Sequence, residues 1–212
     1  YMPKLVYINL KTLKSLPDEQ FSSGMGEVIK YGLIMDRPLY ERLCDMDEGI
    51  SGLNDSDIFD IVHTCILCKR QVVEEDPKEH GIRSYLNFGH TIGHAIEVCA
   101  DFKLYHGQCV AIGMVSALIL SQKYVDDPEI TDGDIEKYKE LLAKFGLLAE
   151  VPKEFLTFET SDVLSAMRSD KKSDAGKIKF IVLKEIGKAD SYMDFDDSDF
   201  KKAIGAVLPK ES

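Results

Sequence analysis

Three of the five histidines in this chain of 212 residues lie close together, and their spacing suits metal binding. His90 and His94 are four residues apart, so on a helix both side chains project from one face. His106 follows after a short turn, and a helical hairpin would bring it back toward His90. A lone histidine on an apolar helix is more often a hydrogen-bonded core residue, but a pair at this spacing favours a divalent metal site.

A catalytic metal commonly has a carboxylate ligand beside two histidines, and Glu27 is the best candidate for that ligand. Glu27 and Lys30 are charged residues in an otherwise apolar run, three apart and therefore on one side of a helix. A solvated ion pair explains the same spacing equally well, so the residues alone leave both interpretations open.

A polar stripe accompanies the histidines. Arg83, Asn87, His90 and His94 are spaced by four, three and four residues, which predicts one polar line along a helix. Because the line lacks the mixture of lysine and glutamate that is typical of a water-facing surface, it favours a wet cavity.

The net charge of the chain is -11, with 37 acidic and 26 basic residues. This balance argues against a nucleic-acid partner, which needs a basic face. Lys69, Lys171 and Lys172 are cations that could still hold a small anionic substrate, although each lysine taken singly is explained by solvation.

The cysteines and the hydropathy pattern favour the cytoplasm. Five cysteines lie among apolar neighbours, and the pair Cys65 and Cys68 has no second pair, so we interpret them as reduced core thiols. There is no signal-peptide-like start and no apolar run of about 18 residues, so the sequence predicts neither export nor a membrane span.

The hydrophobic periodicity predicts a mainly α, multi-helix domain with a small β-hairpin near the C-terminus. Helices are expected over residues 17–36, 39–46, 55–76, 84–100, 110–120, 131–146, 161–169 and 196–208, and the hairpin over 177–183 and the stretch after Gly187. The run 110–120 is apolar all round, which predicts a buried central helix. Residues 5–10 predict a stray strand, and a lone strand cannot satisfy its own backbone. We therefore expect residues 1–16 to be the edge of a preceding domain and 17–212 to be the helical domain.

Taken in order, the motifs of this chain resemble 3-dehydroquinate synthase. They are Gly-Glu-Val-Ile-Lys-Tyr-Gly at 26–32, Arg83 with Leu-Asn-Phe-Gly-His-Thr-Ile-Gly-His-Ala at 86–95, His106 with Gly107, and Asp-Lys-Lys at 170–172. Gln108 departs from the family pattern, which usually has glutamate there. The resemblance implies that residues 1–4 end an NAD-binding domain and that a helical domain binding metal and substrate follows.

The resemblance implies an enzyme that converts 3-deoxy-D-arabino-heptulosonate 7-phosphate to 3-dehydroquinate and phosphate in the shikimate pathway. It implies a homodimer that uses NAD and a divalent metal, zinc or cobalt. The implied metal ligands are Glu27, His90 and His106. The implied substrate site contains Lys30, Lys69, Arg83, Asn87, His94 and one of Lys171 or Lys172, with Glu79 nearby. Because the 212 residues contain no glycine-rich nucleotide-binding motif, we expect the chain alone to be inactive.

Three other functions fit parts of the pattern. One is a related sugar-phosphate cyclase such as 2-deoxy-scyllo-inosose synthase. Another is the domain of an iron-dependent alcohol or glycerol dehydrogenase, although such an enzyme has no phosphorylated acid for Arg83 and Asn87 to bind. The third is a metal-free helical interaction domain whose histidines are structural.

Overall fold

The computed structural model of the chain describes residues 4–78, 81–125, 128–170 and 179–209. Within these ranges the α-helices are α1 Asp18–Ile34, α2 Arg37–Asp45, α3 Asp55–Glu75, α4 His90–Cys99, α5 His106–Tyr124, α6 Asp132–Lys144, α7 Thr160–Asp170 and α8 Asp197–Gly205. Two strands, β1 Phe180–Glu185 and β2 Lys188–Tyr192, pair antiparallel. The predicted mainly α fold with a small hairpin near the C-terminus is confirmed.

Helix α5 forms the centre of the domain. Most of its 19 residues are buried, and α1, α4, α6, α8 and β1 all pack against it. A helix that is apolar all round is stable in water only when neighbours cover every face, so the predicted central helix is confirmed. None of the described helices, α5 included, combines the length and the apolar character needed to cross a membrane.

Short polar motifs set where the helices begin. The Asn54 side chain accepts hydrogen bonds from the backbone N–H groups of Ser56 and Asp57, and the Asp57 carboxylate accepts one from the Asn54 N–H. Thr131 and Asp134 form the same reciprocal arrangement at the start of α6. Such capping boxes satisfy backbone donors that the first helical turn leaves free.

The prediction of a single helix over residues 84–100 is wrong. Residues Ile82–Asn87 form a 3-10 helix, and the chain turns at Gly89 before α4 begins. Gly89 has a φ of 76°, and a Cβ there would lie 2.3 Å from Met114 Cγ and 2.9 Å from the Val110 carbonyl oxygen. The close approach of α5 therefore requires glycine in a left-handed conformation, and a right-handed helix cannot continue through it.

The prediction of a stray strand over residues 5–10 is also wrong, because this segment pairs with no described part of the chain. Residues 5–9 have no regular structure, and Leu10–Ser15 is a 3-10 helix. The side chains of Leu5, Val6 and Tyr7 are exposed. A strand needs a neighbouring strand to pair its backbone groups, and β1 and β2 pair only with each other among the described residues.

Candidate metal centre

Two glycines bring α1 and α5 together beside the predicted ligands. A Cβ on Gly107 would lie only 1.9 Å from the Ser23 carbonyl oxygen, and a Cβ on Gly26 would lie 2.7 Å from the Gly107 oxygen. No other residue fits at this crossing without a shift of the helices. Because Glu27 follows Gly26 and His106 precedes Gly107, the crossing places these two side chains next to each other.

A second pair of glycines brings α4 against α5. A Cβ on Gly93 would lie 2.8 Å from the Cys109 carbonyl oxygen, and one on Gly113 would lie 2.1 Å from the Gly89 oxygen. The two backbones are therefore in direct contact along this line. The contact fixes the α4 histidines relative to the start of α5.

The three histidines converge as a helical hairpin predicts. The ring centroids of His90 and His106 are 5.4 Å apart, and that of His94 lies 5.2 Å from His90 and 5.4 Å from His106. One nitrogen from each ring can be chosen so that all three lie within 4.8 Å of one another. The cluster is compact enough for a single metal ion to reach several of its nitrogens.

Glu27 lies where two of the histidines meet. Its Oε1 is 3.3 Å from His90 Nε2 and 3.7 Å from His106 Nε2, and its Oε2 accepts a hydrogen bond of 2.5 Å from Lys30 Nζ. Lys30 is only 3% exposed. The alternative of a solvated ion pair is therefore wrong, because the ammonium group is buried against the carboxylate.

The tautomer of the neutral His90 ring follows from its partners. His90 Nδ1 lies 3.1 Å from the Phe88 carbonyl oxygen, which can only accept, so Nδ1 carries the proton. In the neutral ring Nε2 is then an acceptor, and it lies 3.3 Å from the buried Glu27 Oε1. Two acceptors that face each other repel unless a proton or a metal ion lies between them.

These donor atoms fit a divalent metal ion. In a tetrahedral zinc site with ligand bonds of about 2.1 Å, neighbouring ligand atoms lie roughly 3.4 Å apart. Glu27 Oε1 lies at 3.3 and 3.7 Å from the two Nε2 atoms. Two imidazoles and a carboxylate are also a ligand set that zinc and cobalt accept.

The electrostatics of the cluster also favour positive charge beside the Glu27 carboxylate. Burial acts to raise the pKa of Glu27, but hydrogen bonds from His106 and His90 and the charge of Lys30 outweigh burial and hold that pKa well below its ordinary range. The hydrogen bond to Glu27, with a further one to Glu97, raises the pKa of His106 to about 8. Burial lowers the pKa of Lys30, and Glu27 opposes that shift.

Three of the predicted substrate residues share a separate cleft. Lys69, Arg83 and Asn87 line a cleft of about 240 Å³ between α3 and the 3-10 helix Ile82–Asn87. Two cations and an amide in one cleft suit an anionic group such as a phosphate or carboxylate. The predicted stripe along one helix is wrong, because the turn at Gly89 separates Arg83 and Asn87 from the α4 histidines.

His94 faces a second cleft, of about 630 Å³, between α4 and α7. Thr91, Glu97 and Ser169 are the other polar residues of its lining, and the remaining residues are apolar. The predicted residues Glu79, Lys171 and Lys172 lie outside the described residues.

Two polar residues near the candidate metal centre were not predicted to have roles in it. Glu97 accepts a hydrogen bond from His106, and its spacing of three from His94 could have placed it on the same helix face. Gln108 donates to the Gly146 carbonyl oxygen and accepts from the Leu148 N–H. An amide can do both and a carboxylate can only accept, so Gln108 secures the turn after α6 rather than the metal site.

The arrangement of helices is that of sugar-phosphate cyclases. The structure of 2-deoxy-scyllo-inosose synthase complexed with carbaglucose-6-phosphate, NAD+ and Co2+ matches with a TM-score of 0.76 and 25% identity, covering 98% of this chain and 57% of that one. The structure of 2-epi-5-epi-valiolone synthase from Streptomyces hygroscopicus subsp. jinggangensis 5008 with NAD+ and Zn2+ bound has a TM-score of 0.76. At 19% identity, over 94% of this chain and 54% of that one, it supports the fold alone.

Within this class the chain belongs to the 3-dehydroquinate synthase family. The family model described as 3-dehydroquinate synthase C-terminal matches residues 24–173. The 3-dehydroquinate synthase of Prochlorococcus marinus (strain MIT 9215) is 40% identical over 205 residues, which cover 94% of this chain and 54% of that protein. The one from Rippkaea orientalis (strain PCC 8801 / RF-1) is 39% identical over 191 residues, covering 89% and 50%. The resemblance is therefore confirmed, and the chain spans about half the length of the curated relatives it matches.

Proposed function

We propose that this chain is the metal- and substrate-binding half of a 3-dehydroquinate synthase. The whole enzyme converts 3-deoxy-D-arabino-heptulosonate 7-phosphate to 3-dehydroquinate with loss of phosphate. The observation that carries the proposal is the position of the buried Glu27 Oε1, which lies 3.3 Å from His90 Nε2 and 3.7 Å from His106 Nε2.

Each residue of the cluster has a proposed role. Glu27, His90 and His106 hold the metal, and the buried ammonium group of Lys30 keeps Glu27 ionised. When bound, the ion polarises the substrate oxygens that chelate it and makes the hydroxyl to be oxidised more acidic. His94 lies beside both other rings and contacts the substrate rather than the metal.

The cleft lined by Lys69, Arg83 and Asn87 binds one anionic end of the substrate. An arginine forms two parallel hydrogen bonds to a carboxylate or phosphate, and a lysine adds a point charge. In the proposal Lys171 or Lys172 contributes a further cation and Glu79 lies nearby. The heptulosonate phosphate has both a carboxylate and a phosphate, so it uses more of these cations than a neutral sugar.

The rest of the expected enzyme belongs to the same proposal. NAD is bound mainly by an amino-terminal domain whose edge is residues 1–16, with the helical domain beginning at residue 17. The chain alone is then inactive, because hydride transfer is the cofactor's part. The shikimate-pathway role, the cytoplasmic location and the homodimer are proposed with it.

Calorimetric titration of zinc into chelator-treated chain tests the metal site. We expect one equivalent to bind, and Glu27→Ala and His90→Ala to weaken binding by at least about 100-fold, since even an outer-sphere partner typically contributes 10- to 100-fold. His63→Ala is the matched control, because His63 is an exposed histidine of α3 whose ring stacks on Phe59. Absence of binding by wild type, or undiminished binding by His90→Ala, would contradict the proposal.

Phosphorus NMR titration of two sugar phosphates into zinc-loaded chain tests the substrate class. We expect heptulosonate phosphate to bind more tightly than glucose 6-phosphate, and Arg83→Ala to weaken its binding. Arg70→Ala is the control, because Arg70 is an exposed cation next to Lys69 that pairs with Glu74. A preference for glucose 6-phosphate would favour the inosose synthase alternative instead, and binding of neither would favour the dehydrogenase or the interaction domain.

A further inference from the structure

Glu97 is an acidic residue of α4 that lies against the first residue of α5. Its Oε2 is 3.1 Å from His106 Nδ1. The Glu97 side chain is 19% exposed, whereas that of His106 is 44% exposed and that of His90 only 13%. Packing therefore constrains the His106 ring much less than the His90 ring, and His106 needs a fixed hydrogen-bond partner to hold its orientation.

The chemistry of this contact determines which ring nitrogen of His106 is free. An ionised carboxylate accepts but does not donate, so the hydrogen bond requires a proton on His106 Nδ1. In the neutral ring Nε2 then has a free lone pair, and it faces Glu27 Oε1 at 3.7 Å. His90 reaches the same state through the main-chain oxygen of Phe88. His90 and His106 thus both present Nε2 to Glu27 Oε1.

The helix that carries Glu97 packs closely against α5. Helix α4 is held against α5 by the Gly93 contact, where an added Cβ would lie 2.8 Å from the Cys109 carbonyl oxygen. A simple surface ion pair between Glu97 and a protonated His106 explains the 3.1 Å distance. It does not explain why the other nitrogen of the ring faces Glu27, where a metal ligand is needed.

We propose that Glu97 is a positioning residue of the metal site, which holds His106 in the Nδ1–H tautomer and directs Nε2 toward the ion. The inference rests on the proposed function, in which Glu27, His90 and His106 hold the metal. A carboxylate on the far nitrogen also makes the near nitrogen a stronger donor to the metal. Removing such a partner typically lowers metal affinity by about 10- to 100-fold.

Calorimetric titration of zinc into the Glu97 variants tests the effect on affinity. We expect Glu97→Ala to weaken zinc binding by about 10- to 100-fold and Glu97→Gln to weaken it less, because the amide oxygen still accepts from Nδ1–H. Glu136→Ala is the control, since Glu136 is an exposed residue of α6 that pairs with Lys139. Wild-type affinity in a folded Glu97→Ala protein would overturn the proposal.

Nitrogen NMR of the imidazole rings in the metal-free chain separates this inference from the proposed function. At about pH 9.5, well above an ordinary histidine pKa, His106 is neutral and its tautomer is observable. We expect the Nδ1–H form in wild type and a mixture of tautomers in Glu97→Ala. An unchanged tautomer in Glu97→Ala overturns the role of Glu97, whereas a wild type that binds no zinc overturns the proposed function.

Discussion

Replacing Gly107 with alanine tests how the helix crossing assembles the metal site. The added Cβ would lie 1.9 Å from the Ser23 carbonyl oxygen, whereas ordinary contacts begin at 3.4 Å, so α1 and α5 must move apart by about 1.5 Å. Overpacking of this kind typically costs about 1–3 kcal/mol of unfolding free energy. Metal–ligand distances tolerate only about 0.2 Å, so zinc affinity falls by at least about 10-fold as Glu27 moves away from His106.

Urea unfolding followed by circular dichroism gives the stability change, and calorimetric titration gives the zinc affinity. Gly24→Ala is the matched control, because Gly24 lies on the exposed side of α1, the helix that Gly107 contacts, with nothing within 4 Å of an added Cβ. Alanine there should leave zinc binding unchanged and stabilise the helix by up to about 1 kcal/mol. If Gly107→Ala matched Gly24→Ala in both measurements, the reasoning about the crossing would be refuted.

Three further predictions concern residues that are not proposed to bind the metal. Burial raises the pKa of Cys109 to about 12 and that of Cys68 to about 11, so little thiolate exists at neutral pH. Mass spectrometry after iodoacetamide treatment should find both cysteines unlabelled until the pH approaches these values. Rapid labelling at pH 7 would contradict this prediction. Asn54→Ala should cost about 1 kcal/mol in urea unfolding by removing the α3 cap, and a value near zero would show that the cap contributes nothing. Gln108→Leu should cost about 1–3 kcal/mol in the same assay, because it leaves Gly146 and Leu148 with unpaired backbone groups, and a neutral result would mean that water replaces the side chain.

Much of the fold could be predicted from local sequence patterns. The apolar run 110–120 predicted a buried central helix, and α5 is that helix. The polar residues before α3 and α6 mark their starts because a capping box uses residues only three apart in the chain. The approach of His106 to His90 could likewise be predicted, since a short turn between two helices leaves few ways to pack them.

The features that sequence analysis missed depend on contacts between distant residues. The helix predicted over residues 84–100 breaks at Gly89 because Met114 and Val110 of α5 occupy the space that a side chain would need. Residues 5–9 have the composition of a strand, but strand formation requires a partner that no described segment supplies.

Side-chain pairing was equally hard to predict from spacing. Glu27 and Lys30 look the same in sequence whether they face water or each other, and only the packing of α1 shows that Lys30 is buried. The contact between Glu97 and His106 joins two helices, so it depends on the α4–α5 crossing rather than on any local pattern.

X-ray absorption spectroscopy of the chain loaded with one equivalent of zinc tests the central claim most directly. If Glu27, His90 and His106 hold the ion, the first shell contains two imidazole nitrogens and oxygen donors at about 2.0–2.2 Å and no sulfur at about 2.3 Å. The Glu27→Ala variant should bind zinc more weakly while keeping two imidazoles. A shell of three imidazoles, which would include His94, or any shell with sulfur, would contradict the account.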